Sequence, residues 1–385
     1  MSDGTAARPL LFTPLNLRGV VARNRIAISP MVQYHAKDGV AQDFHLVHLG
    51  AFARGGAGIV FTENAGVVPG GRVTEMDLGL WHDGQIASLS RLTTCIQGFG
   101  ALAGIQLTHS GRKGAMQSGP EGNGPLTPAD LARGRRPWEV IGPTAEPVGP
   151  GWLVPHALTA NDIAALVAAW AEAARRADRA GFDVCEIHGA HGYLLASFLS
   201  PVSNTRRDAY GGDRTGRMRF ALEVARAVRA AWPAHKPLFF RVSALDGADG
   251  WDLDDTVALA SELKTCGVDV VDCSSGGLTG TATAAPIPRY PGFQVPYAAA
   301  VRRRAGVASM AVGLILDGPQ AEAILQAGDA DLVAVGRQAL YDPFWALHAA
   351  QALGCDPGFA LWPSEIGWWL EKRSHILQPA PKAAE

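Results

Sequence analysis

Eight short apolar runs, each followed by a stretch with helical spacing, recur along this chain and leave few folds open to it. The runs cover residues 24–28, 58–61, 101–107, 182–187, 238–242, 268–273, 309–312 and 331–335. Strands that are apolar throughout, rather than alternately, belong to a parallel sheet covered on its outer face by helices. Eight of them in series imply closure into a barrel. No shift in composition divides the chain, and the repeat length is too irregular for a solenoid. The expectation is a single α/β domain, a (β/α)8 TIM barrel over residues 1–357 with long loop insertions, followed by a C-terminal tail over 358–385.

The intervening helices are expected over about 44–53, 85–97, 159–180, 213–232, 254–266, 295–304 and 319–327, with a last one opening at Pro343. Thr159 or Asn161 suits the N-cap of the third, and Gly181 its stop. Residues 114–155 form a long stretch dense in Gly and Pro, the mark of a lid, a binding loop or surface decoration. With 385 residues, length alone admits one large barrel or two ordinary domains. The 34 Lys and Arg against 36 Asp and Glu give no basic face for nucleic acid. Five scattered cysteines without a C-x-x-C pair argue against structural zinc or an iron–sulfur cluster and fit a reducing compartment. No signal peptide and no apolar run of membrane-spanning length is read, so a cytoplasmic protein without a membrane partner is expected.

In such a barrel the active site gathers at the C-terminal ends of the strands. The polar groups there are Ser29, Glu63, Gln106, His109, His188, His191, Arg241, Ser274, Gly313 and the pair Gly336-Arg337. The fourth run ends in His188-Gly-Ala-His191-Gly-Tyr193. Two imidazoles can hold one developing oxyanion, and a tyrosine protonated at neutral pH can give a proton. The same histidines could be metal ligands or hydrogen-bonded loop residues. Ser275, Gly276, Gly277, Gly313 and Gly336 offer backbone N–H groups after the last three strands, where barrels often bind phosphate, and Arg337 adds a bidentate contact. Glycine after a strand also serves simply as a turn residue. Arg241, emerging beside a buried strand, needs an anionic or carbonyl partner, with Glu63 or Glu186 as internal candidates.

The block His188-Gly-Ala-His191-Gly-Tyr193-Leu-Leu-Ala-Ser-Phe-Leu-Ser-Pro continues to Asn204-Thr-Arg-Arg-Asp208-Ala-Tyr210-Gly-Gly. Together with Ser29-Pro30-Met31, Gly104-Ile-Gln106-Leu-Thr-His109, Arg241-Val-Ser and Val335-Gly336-Arg337, it resembles the Old Yellow Enzyme family of FMN-dependent ene-reductases. The likeness is greatest to the YqjM-like and xenobiotic-reductase-like branch, and it covers residues 11–341. It implies FMN as cofactor, NADPH or NADH as hydride donor, and an α,β-unsaturated carbonyl compound as substrate, reduced by a ping-pong route. Ser29, Pro30, Met31, Val32 and Asn64 would line the flavin ring, with Gln106 at its pyrimidine edge and Arg241 beside N1 and O2. Ser275, Gly276, Gly277, Gly313, Gly336 and Arg337 would hold ribityl and phosphate. His188 and His191 would grip the substrate carbonyl, Tyr193 would protonate the α-carbon, and Tyr34 would contact the substrate.

One departure stands in the flavin set. Val32 occupies the place where near relatives usually carry a cysteine, which leaves open the same site run as a dehydrogenase or desaturase. Such relatives also place a tail residue of a neighbouring subunit over the site. Trp368 is the candidate here, among Trp362, Trp369 and Arg373, unless these tryptophans pack an ordinary interface. Either way a homodimer or homotetramer is expected. A metal-dependent barrel lyase using His188 and His191 lacks a third ligand at suitable spacing, so no metal is expected.

Overall fold

The computed structural model describes residues 8–248, 250–280 and 287–377. The eight runs form strands β1 (Ile26–Ile28), β2 (Ile59–Gly66), β3 (Leu102–Thr108), β4 (Val184–Gly189), β5 (Leu238–Ser243), β6 (Val270–Ser274), β7 (Ala308–Ala311) and β8 (Leu332–Val335). Each pairs in parallel with the next, and β8 returns to pair with β1, closing the barrel. Around it lie α1 (Asp43–Arg54), α2 (Ile86–Gly98), α3 (Ala160–Arg179), α4 (Arg214–Ala231), α5 (Leu253–Thr265), α6 (Val295–Ala300), α7 (Gly318–Gln326) and α8 (Trp345–Ala352).

Local chemistry places these helices. Thr159 caps α3, its backbone N–H donating to the Asp162 carboxylate at 2.8 Å while its hydroxyl accepts from the Asp162 N–H at 3.2 Å. From there Ile163, Leu166, Trp170, Ala173, Ala174 and Ala177 recur at helical spacing and are buried. Two helical expectations need correction. The sixth helix does not run unbroken to Arg304, because a π-type turn over Val301–Ala305 widens it. The helix near Pro343 is not the last: α9 (Ser364–Leu377) follows, hidden from a periodicity reading because only its Gly367 is buried. The insertion 114–155 carries a short helix, Pro128–Ala132, and a two-residue pairing of Ile141–Gly142 with His156–Ala157.

The barrel interior changes character from bottom to top. At the N-terminal end Ala27, Ile59, Phe61, Val184, Phe239, Val270, Met310 and Leu332 pack together. They are joined there by Leu17 and Ala22 of the hairpin Leu15–Leu17 and Val20–Ala22, which plugs this end. One step up β3, β4, β5 and β6, at two-residue spacing, the apolar layer gives way to Gln106, Glu186, Arg241 and Asp272. A further step reaches His188, Ser243 and Ser274, at the mouth. The apolar floor thus supports a charged layer, and the charged layer supports the site.

Candidate active site

A cavity of about 430 Å³ opens at the C-terminal mouth, a size suited to a small-molecule ligand. Of the residues singled out from the sequence, Ser29, Pro30, Met31, His191, Arg241, Ser274, Ser275, Gly313, Gly336 and Arg337 line it. Val32, Tyr34, Asn64, Gln106, His188, Tyr193, Gly276 and Gly277 lie outside its wall. Trp368 stands apart on α9, 52% exposed.

The two histidines and the tyrosine do come together. His188 Nε2 and His191 Nδ1 are 3.4 Å apart, and the His188 ring meets that of Tyr193 edge-on with centroids 5.0 Å apart. Nδ1 of His188 accepts the Ala190 N–H at 3.1 Å, so a neutral His188 carries its proton on Nε2. Burial and the nearby Arg241 charge hold both imidazoles well below the usual histidine range. Both are therefore neutral imidazoles, not cations, with His188 Nε2 a donor. Burial also raises the Tyr193 phenol, with help from the charge of Asp77, so it keeps its proton throughout the physiological range. Tyr34 sits at φ +60°, bonded to the Gly119 backbone.

His191 is fixed by its surroundings. It adopts φ +61°, its N–H donates to Ser243 Oγ at 2.9 Å, and its carbonyl accepts from Lys113 Nζ at 2.9 Å. Lys113 also donates to the Gly277 carbonyl at 2.7 Å, tying the loop after β4 to the loop after β6. Burial lowers its ammonium to about 7, with the Arg112 charge adding to the shift. Gly276 and Gly277 serve this junction. Ser243 Oγ donates to the Gly276 carbonyl at 2.8 Å, and a Cβ on Gly277 would lie 2.7 Å from His191 Cα.

Arg241 finds its anion in Asp272, with Nε 3.2 Å from Oδ2, and not in Glu63 or Glu186 as the sequence suggested. The reason is local. A register shift between Phe61 and Asn64 breaks the β2–β3 ladder, and the intervening Glu63 carboxylate accepts the Gln33 and Leu78 N–H groups. Glu186 accepts from Gln106 Nε2 at 2.8 Å. Burial, reinforced by the Asp272 charge, pushes the Glu186 carboxyl up, so it holds a proton at neutral pH.

Sequence reasoning missed Lys113 and Asp272. A lysine between glycines within a strand-end block, and a carboxylate two residues below a strand-end serine, were the available signals. His109 belongs to the support: its Nδ1 accepts the Gly111 N–H at 3.0 Å, and burial drives it down to about 3.

Residues 10–355 match the family described as NADH:flavin oxidoreductase / NADH oxidase. The NADPH dehydrogenase of Geobacillus thermodenitrificans is 43% identical over 348 residues, covering 90% of this chain and 95% of that one. The chain belongs to this family. The Old Yellow Enzyme resemblance is thereby borne out, and the protein is a flavin oxidoreductase that takes FMN. Among solved structures, morphinone reductase superposes with a TM-score of 0.74 at 25% identity, over 90% of this chain and 91% of that one. A 2-naphthoyl-CoA reductase shares the fold at 22% identity with a TM-score of 0.78; 89% of this chain covers 52% of its length.

The residues present fit the cofactor. The Arg241 guanidinium lines the cavity and spends Nη1 on Ser29 Oγ, leaving further donors. The same cavity is lined by Gly313, at φ +120°, by Gly336 and by Arg337. A cavity lined by two arginines suits an electron-rich ring joined to a phosphate.

Proposed function

We propose that this enzyme reduces the activated C=C bond of α,β-unsaturated carbonyl compounds, with NADPH or NADH as donor, in a ping-pong cycle. Bound FMN supplies the hydride-transfer chemistry through its N5. One observation carries the reading: His188 Nε2 and His191 Nδ1 converge to 3.4 Å beside the edge of the Tyr193 ring. Neutral donors aimed at one oxygen favour the charge that grows there during reduction over the neutral ground-state carbonyl. Tyr193, protonated and adjacent, delivers the proton to the α-carbon. One cavity serves both donor and acceptor, which supports their binding in turn. Morphinone reductase, named for an enone, supports the substrate class.

The exposed rings of Trp368 and Trp369 on α9 support a homodimer or homotetramer in which the tail reaches a neighbouring copy. The test is a visible spectrum of the purified protein under nitrogen. A yellow band bleached by NADPH or NADH and restored by cyclohex-2-enone is expected; a band bleached by either donor but left bleached by an enone panel sinks the reading.

A further inference from the structure

His191 has one unsettled feature, its tautomer. Its backbone is held at both the N–H and the carbonyl, and its ring nitrogens face two different groups. Nδ1 faces His188 Nε2 at 3.4 Å, and Nε2 lies 2.7 Å from Ser274 Oγ. His188 must be a donor at Nε2, since Nδ1 accepts the Ala190 N–H. A neutral His191 with its proton on Nε2 would turn a lone pair from Nδ1 toward any oxygen held by His188. Without a ligand that lone pair can accept the His188 Nε2–H, but once an oxygen is bound there two acceptors oppose each other.

We propose that Ser274 is a positioning residue that sets the His191 tautomer: its hydroxyl donates to Nε2 and keeps the proton on Nδ1, so that both imidazoles offer N–H groups to one carbonyl oxygen. The inference rests on the two-histidine grip proposed above and adds the residue that orients it. In a neutral imidazole the bond made by one nitrogen decides the role of the other. A hydroxyl can donate or accept, so the choice needs only rotation about its C–O bond. Ser274 is the last residue of β6, paired in register with Ser243 of β5, whose own hydroxyl anchors the His191 N–H. Both serines therefore stand on rigid strands, and their separation is set by the barrel. Ser274 also borders the cavity, so its hydroxyl lies beside the ligand it serves indirectly.

The test uses the FMN-loaded enzyme with 15N-labelled histidine and p-cresol as probe, which offers a phenolate oxygen to the pair. Wild type and Ser274→Thr are expected to show the His191 proton on Nδ1. Ser274→Ala is expected to move it toward Nε2 and weaken p-cresol binding about tenfold, the scale of one hydrogen bond, with FMN content unchanged. A proton that stays on Nδ1 in Ser274→Ala overturns the inference. So does a variant that loses FMN while its loaded fraction binds p-cresol as well as wild type does. His188→Ala with undiminished p-cresol affinity would remove the grip itself, an outcome readable without any Ser274 variant.

Discussion

Arg241 Nε lies 3.2 Å from Asp272 Oδ2, and both side chains are buried in the layer beneath the cavity. Glu186 completes that layer: burial raises its carboxyl, reinforced by the Asp272 charge, and burial raises Asp272 too, against the pull of the Arg241 charge. Ionising all three would leave a buried excess negative charge, which the low-dielectric interior resists. Arg241 reaches the cavity wall from this layer, and a protonated Glu186 limits the negative charge beneath it.

Removing Asp272 tests this balance. Asp272→Asn strips the guanidinium of its anion, a loss that costs about 3–5 kcal/mol when nothing replaces it. Here Glu186 can release its proton and step in. The single variant is therefore expected to lose less than that, and Asp272→Asn/Glu186→Gln to lose more than the two single losses combined. Denaturant unfolding followed by circular dichroism measures the coupling, expected at about 1 kcal/mol or more. Strict additivity would show that the two carboxyls do not share the charge.

Lys113 gives a pH signature of known sign. Its folded value, lowered to about 7, lies below the ordinary value of 10.5. Between these limits the unfolded chain binds the proton more readily, so this residue makes stability rise as pH climbs from about 7 to about 10. The neutral amine has two N–H groups, matching its two carbonyl acceptors on His191 and Gly277. Lys113→Met is expected to be less stable than wild type throughout, with a shallower rise over that window. Equal slopes in urea midpoints measured across the window would refute the shifted lysine.

Gly192 tests how closely the two loops must approach. It sits at φ +71°, and a Cβ there would lie 2.2 Å from the Gly277 carbonyl oxygen, a backbone atom that cannot swing aside. Gly192→Ala is expected to cost at least about 2–3 kcal/mol from clash and left-handed strain together. It should also lower FMN retention, since Ser275 lines the cavity next to the displaced loop. Thermal unfolding and flavin release on gel filtration report both effects; an unchanged midpoint would mean the loops have room to part.

The barrel was legible because its strands are largely apolar on both faces, and all eight expected runs overlap a strand. The mouth was legible because polar groups at strand ends stand out against those runs. The layer below was not. Glu186 and Asp272 sit inside apolar stretches, and the register of β5 on β6, which sets Asp272 directly opposite Arg241, is not written in residue type. The register shift after Phe61, which sends Glu63 to backbone N–H groups instead, has no signature in residue type. Lys113 was hidden for a related reason. Its partners are carbonyls from two loops far away in sequence, and backbone acceptors carry no sequence signal. The close approach of Gly277 to the His191 backbone likewise follows from two loops meeting and carries no signal of its own in the sequence.

Tyr193→Phe separates the two halves of the cycle. The phenol is protonated and lies edge-on to His188, beyond the last residue of β4, with Lys113 Nζ 5.6 Å from its ring centroid. Removing the hydroxyl leaves ring packing, both imidazoles and Arg241 in place. Reduction of the flavin by NADPH or NADH needs no proton from this residue and is expected to proceed within a factor of about two of wild type. Reoxidation by cyclohex-2-enone needs a proton at the α-carbon and is expected to slow by about 10²–10⁴-fold, the usual contribution of a positioned acid. Stopped-flow absorbance at the flavin band follows each half separately. Equal slowing of both halves would show that Tyr193 shapes the pocket without giving the proton, and unchanged reoxidation would assign the donor elsewhere.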